Sequence, residues 1–131
     1  MSLISWNNDL EIDVNEMNEQ HKVLVNIMNK IYDLHNSNPD AYQIIEKNLH
    51  DLIDWTIKHF KEEEEYMATI NYPKLEVHKG THKDLLSVLD THKLRFERNK
   101  KLDDRFFSFL KLWLSSHIMS IDTQYSKFST N

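Results

Sequence analysis

The chain has 131 residues, one glycine, two prolines, no cysteine and a formal net charge of −5. That length suits a single domain with a modest core, and the lack of cysteine excludes disulfides, thiolate catalysis, iron–sulfur clusters and zinc–thiolate sites. The acidic balance argues against nucleic acid or an anionic membrane surface as partner, and no run approaches the roughly 18 to 20 apolar residues of a membrane span.

So few glycines and prolines leave few of the turns that an all-β chain needs, and the sequence reads as helix between well-marked breakers. Met1 to Leu10 shows no basic region followed by an apolar run, so no signal peptide is expected and the cytoplasm is the default location. Residues 1–17, with Trp6, Leu10, Ile12 and Val14, are expected to form an arm packed along the domain. Four helices follow at approximately 18–37, 41–67, 74–98 and 103–126, giving one domain over 1–131. They are separated by Asn36-Ser37-Asn38-Pro39-Asp40, by Asn71-Tyr72-Pro73 and by Asn99 to Asp103, with Asp103 or Asp104 as N-cap. Each helix carries an apolar stripe at i, i+3, i+4, i+7 spacing. The stripes are Leu24, Ile27, Met28, Ile31 and Leu34; Ile45, Leu49, Leu52, Ile53 and Thr56; Leu75, Leu85, Leu86, Leu89 and Phe96; and Phe106, Leu110, Trp113, Leu114 and Ile121. Long amphipathic helices with short connections predict an all-α, up-down-up-down antiparallel four-helix bundle.

Several polar residues fall on these inward stripes. His21 precedes Leu24 by three residues, His59 and Glu63 continue the line of Leu52 and Thr56, His78 and His82 lie between Leu75 and Leu85, and His117 follows Trp113 by four. A spacing of four places two side chains on one helix face, one turn apart. In an up-down-up-down bundle the start of helix one, the end of helix two, the start of helix three and the end of helix four lie at the same end. All four helices therefore bring imidazole or carboxylate to one layer. A core admits carboxylates only when they are paired or bind metal, so this layer predicts a metal site.

Asp122 is the irregular member. Five residues after His117, it would be rotated by about 140° on an ideal α-helix, which calls for a reaching side chain or a local π-bulge. Glu64 and Glu65 are expected to stay in water, and Gly80 suggests the close approach of a neighbouring backbone. His35, His50 and His92 lie away from the layer and serve as ordinary partly buried or surface residues.

Seven ligands are too many for one ion. Five imidazoles and two bridging carboxylates make nine bonds, a bridging oxide or hydroxide adds two, and two octahedral ions then keep one of twelve positions open. Imidazole with carboxylate and no thiolate suits iron or manganese better than tetrahedral zinc. No Glu-x-x-His pair of the di-iron oxidase kind occurs, and a histidine-rich set places less negative charge on the metals, which favours reversible chemistry over high-valent oxidation.

The residues resemble the hemerythrin family, and the single-domain bacteriohemerythrins in particular, from Trp6 to Tyr125. The matching stretches are Trp6 with Gln20-His21-Lys22, His59-Phe60-x-x-Glu63-Glu64-x-x-Met67, Tyr72-Pro73-x-x-x-x-His78-x-x-x-His82, and Trp113-Leu114-x-x-His117-Ile118-x-x-x-Asp122-x-x-Tyr125. The resemblance implies a non-haem pair of iron ions: His78, His82 and His117 on one, His21 and His59 on the other. Glu63, Asp122 and an oxo or hydroxo group would bridge them. It further implies reversible dioxygen binding at the open position of the second iron, with Leu114 over the oxygen pocket. The expected role is an oxygen carrier, store or delivery protein rather than an enzyme, with dioxygen as its partner and a monomer favoured over an oligomer. The alternative is a di-iron stress protein or enzyme acting on nitric oxide, peroxide or damaged iron centres. Relatives of that kind tend to carry His-x-x-x-Glu on the last helix, where this chain has His-x-x-x-x-Asp. Two departures stand upstream of the first histidine: Asn18 where the family usually has Asp, and Asp13 where it often has Gly. The loss of a carboxylate at Asn18 is expected to bear on how His21 is oriented.

Overall fold

The computed structural model describes residues 3–7 and 10–129. Residues 1–2 and 8–9 of the expected arm, and 130–131 of the expected domain, lie outside the described residues. Three helices, α1 (Asn15–Ser37), α2 (Tyr42–Thr69) and α3 (Leu75–Asn99), are followed by a fourth rod in three parts. These parts are α4 (Asp104–Leu112), a π-helical segment (Trp113–Asp122) and α5 (Thr123–Ser129). The rods alternate in direction and form an all-α antiparallel four-helix bundle, with no strand among the described residues. Among those residues no helix is long and apolar enough to cross a membrane.

The apolar stripes build the half of the bundle away from the histidine layer. Leu24, Met28, Ile31, Ile45, Leu49, Leu52, Leu89, Phe96, Phe106 and Leu110 are all buried, each contributing about 1.5–3 kcal/mol on leaving water. Along α3 the stripe is thinner than its spacing suggests. Leu75, Leu85 and Leu86 are half-buried, and Leu89 and Phe96 make the full contacts. Asp103 caps the fourth rod, its carboxylate accepting the Phe106 N–H at 3.2 Å.

Helix α1 starts three residues before the expected position, because nothing in Asn15-Glu16-Met17 breaks a helix and Glu16 favours its first turn. The Val14 carbonyl accepts from Met17 and Asn18, so the arm ends at Val14. The last rod likewise runs to Ser129, beyond the expected 126.

The arm is fastened by two side-chain amides that mimic a strand neighbour. Asn18 accepts from the Ile12 N–H and donates to the Ile12 carbonyl, both at 2.8 Å. Asn29, three turns further along α1, does the same for Ile4 at 2.9 and 2.8 Å. An aspartate at position 18 could accept but not donate, so the departure at Asn18 serves the arm. The Asp13 N–H adds a bond to Ser126 Oγ at 2.7 Å, tying the arm to α5.

Gly80 departs from expectation. It is helical and exposed, and a Cβ added there would meet nothing within 4 Å, so no backbone approaches it. Glycine costs a helix interior about 0.8–1.0 kcal/mol relative to alanine. Gly80→Ala is therefore expected to stabilise the fold by about 1 kcal/mol and raise the melting temperature by about 3–5 °C in thermal denaturation. A lower melting temperature would contradict the open space around it.

Candidate metal centre

The helical spacings bring all seven predicted ligands together. His21 (α1), His59 and Glu63 (α2), His78 and His82 (α3) and His117 and Asp122 (π segment) are buried, both carboxylates completely. They form two overlapping groups: His78, His82 and His117 with Glu63 and Asp122, and His21 and His59 with the same two carboxylates. Within each group the ligand atoms lie within 4.8 Å of one another. His35, His50 and His92 belong to neither group. His92 packs against Phe106 and Phe109, and His35 against Phe107.

Each carboxylate divides its oxygens between the groups. Glu63 Oε1 lies 3.6, 2.9 and 3.9 Å from Nε2 of His78, His82 and His117. Its Oε2 lies 3.7 and 3.6 Å from Nε2 of His21 and His59. Asp122 Oδ1 lies 3.0 Å from Nε2 of both His78 and His117, whereas Oδ2 lies 3.3 Å from that of His21. One oxygen per group is the geometry of a carboxylate bridging two cations.

The π segment makes this possible for Asp122. Its bonding is i→i+5, shown at its end where the Thr123 N–H reaches the Ile118 carbonyl. Residues five apart then lie on nearly the same face, and His117 and Asp122 point into one site. The Thr123 hydroxyl reinforces the exit from the segment by donating to the Ile118 and Met119 carbonyls, both at 2.9 Å.

The polar atoms fit metal ions. His21 Nδ1 and Nε2, Glu63 Oε1, His78 Nε2, His117 Nδ1 and both Asp122 oxygens are buried without a hydrogen-bond partner among the described residues; outside this cluster only Trp6 Nε1 shares that condition. His117 Nε2 and Asp122 Oδ1 are close but not aligned for a bond. His82 Nε2 and His117 Nε2 face each other at 3.2 Å. Buried polar atoms ordinarily find partners, and convergent nitrogens and carboxylate oxygens find theirs in a cation.

Residues around the ligands fix their orientation. His82 Nδ1 is 2.7 Å from Glu64 Oε2, and His59 Nδ1 is 2.6 Å from Gln20 Oε1. Both acceptors hold the imidazole proton on Nδ1 and leave Nε2 facing the cluster. Glu64 thus turns to α3 instead of water, because the neighbouring His82 offers a charge-assisted bond. Tyr125 donates its hydroxyl to Glu63 Oε2 at 2.8 Å, and burial, with Glu63 and Asp122 beside it, pushes its pKa far up, so it stays a donor. Phe60 stacks on His82 with centroids 3.8 Å apart and planes 3° from parallel. Gln20 and Glu64 both sit inside the sequence stretches that carry the resemblance. Their partners are on other helices, which spacing along one helix does not show.

Without metal the cluster stores protons. Burial opposes charge on His21, but Asp122 and Glu63 outweigh it and raise its pKa to about 9. The same contest raises His117 to about 10, with Asp122 the main opponent of burial, and moves His78 upward. For His59 burial wins, and its pKa falls to about 4. Burial alone would raise both carboxylates, yet the surrounding histidines hold Glu63 and Asp122 well below the usual range. At pH 7 His21 and His117 are therefore protonated in the metal-free chain and must be neutral to bind metal. Anaerobic ferrous loading at pH 7 is expected to release at least two protons per chain, one from each, and affinity is expected to fall as pH falls. Calorimetry in buffers of different ionisation enthalpy checks the count; heats independent of buffer would contradict it.

Comparison with known proteins agrees with this chemistry. The family model "Hemerythrin HHE cation binding domain" matches residues 13–128. A bacteriohemerythrin of Stenotrophomonas maltophilia is 28% identical over 126 residues, 96% of this chain and 81% of the relative. A hemerythrin-like protein of Naegleria gruberi is 33% identical over 124 residues, 95% of this chain and 92% of the relative. The crystal structure of a wild-type hemerythrin superposes with a TM-score of 0.85 at 28% identity, covering 96% of this chain and 97% of that one. A leucine-to-tyrosine variant of a hemerythrin gives 0.88 at 27% identity, covering 97% of each chain. The chain belongs to the hemerythrin family, and its buried histidine–glutamate–aspartate cluster is capable of holding a di-iron centre.

Proposed function

We propose that this chain binds dioxygen reversibly, as a carrier, store or delivery protein in the cytoplasm, and catalyses no reaction. The observation that carries this reading is the division of Glu63 and Asp122 between two histidine groups of unequal size. His78, His82 and His117 would hold one iron and His21 and His59 the other, with Glu63 and Asp122 shared, so the group with two imidazoles would offer one protein ligand fewer. A pair of ferrous ions held there would supply the two electrons that reversible binding of dioxygen requires.

The chain's own residues keep that exchange reversible. Five imidazoles, neutral once they hold metal, against two carboxylates would restrain the negative charge at the centre, which disfavours high-valent states. Phe60 and Trp113 wall the three-histidine side, with ring centroids 6.0 Å apart. Leu114, buried about one turn before His117, is assigned to the oxygen pocket, where its side chain excludes water. Its outer side borders a crevice against Leu3, Ile4 and Leu10, so the arm backs it. Tyr125 holds Glu63 Oε2 and keeps that carboxylate from turning.

The test is an anaerobic ferrous load followed by cycles of air and argon under visible absorption. A band that appears with oxygen and disappears on its removal through several cycles is expected. Oxidation in one direction only, or turnover of peroxide or nitric oxide, would overturn the reading.

A further inference from the structure

The acidic run at the end of α2 supplies more than Glu63. Three consecutive carboxylates face three directions: Glu63 into the cluster, Glu64 across to α3 and Glu62 across to α1. Glu64 Oε2 meets His82 Nδ1 at 2.7 Å. Gln20 Nε2 donates to Glu62 Oε2 at 3.3 Å, and this bond sets the orientation of the amide. Its oxygen is thereby turned to His59 Nδ1 at 2.6 Å, while the Gln20 carbonyl is held by the Trp55 indole N–H at 3.2 Å.

The two groups are consequently backed in different ways. His82 leans directly on a carboxylate. His59 leans on a neutral amide, and the nearest carboxylate behind that amide stands one residue further away. A carboxylate acceptor draws the Nδ1 proton and makes Nε2 a stronger donor to a metal, more so than an amide does.

We propose that Glu64 and the Gln20–Glu62 pair are positioning residues that make the two metal positions electronically unequal. Glu64 strengthens the donation of His82 and favours the ferric state at the three-histidine position. Gln20 keeps the two-histidine position poorer in electrons, as suits the side that takes an external ligand. This inference rests on the ligand assignment proposed above and not on oxygen binding.

The test uses the iron-loaded full chain with two variants. Glu64→Gln removes the carboxylate behind His82. The exchange Gln20→Glu with Glu62→Gln moves a carboxylate onto His59 while leaving composition and net charge unchanged. Anaerobic redox titrations, followed by visible absorption, and iron release to a chelator are the readouts. Glu64→Gln is expected to raise the midpoint potential and to weaken iron retention about 10- to 100-fold. The exchange is expected to lower the potential with two irons still bound. A merely structural role would move the melting temperature and leave the potentials where they were. Potentials equal to wild type, or shifted in the same direction in both variants, would overturn the inference. If Glu64→Gln does not fold, the exchange decides alone, and an unchanged potential there overturns it. No dioxygen is used, so that failure leaves the oxygen reading standing, whereas a wild-type chain that takes up fewer than two irons removes both.

Discussion

A carboxylate withdrawn from water is costly unless a cation meets it, and this bundle withdraws two at the point where four helices converge. The effective penalty is several kcal/mol for each ion even after relaxation. Among the described residues, Glu63 and Asp122 have histidines as their only ion-pair partners; no lysine or arginine reaches them. Imidazolium can hold them in the metal-free chain, and metal ions held by the same imidazoles neutralise them more fully. One set of side chains therefore satisfies two states, and the difference between them is a matter of protons exchanged for metal.

The rest of the architecture follows from placing that charge. The lower half of the bundle is apolar and closely packed, so the layer at the other end can be polar without losing the fold. The π segment departs from regular helix only over the residues that carry His117 and Asp122. The arm, clasped by Asn18 and Asn29, brings Leu3, Ile4 and Leu10 to a crevice that Leu114 also lines. Function and stability thus draw on different residues, joined at α2, whose last turns supply two of the candidate ligands, His59 and Glu63, and two further carboxylates that brace its neighbours.

Much of this was legible along the chain because helical periodicity is a local signal. The spacing of His59 to Glu63 and of His78 to His82 specifies a face, and the alternation of helices specifies an end. The misfit of Asp122 on an ideal helix calls for either a reaching side chain or a π-bulge, and the structure has the π segment. What periodicity could not show lies between helices. Glu64 reads as a solvated residue on its own helix, and only its approach to His82 makes it part of the site. Gln20 is next to a ligand in sequence but serves a different one in space. Asn18 reads as a lost carboxylate beside His21, whereas its amide is used on the arm. Gly80 suggests close packing by its rarity, yet stands in open space.

With metal bound, Glu63 and Asp122 would each join two metal positions, one oxygen to each. Anomalous diffraction from crystals of the iron-loaded protein tests it most directly. Two iron peaks are expected, one against His78, His82 and His117 and one against His21 and His59, with both carboxylates spanning them. A single peak, or two peaks that share neither carboxylate, would contradict it.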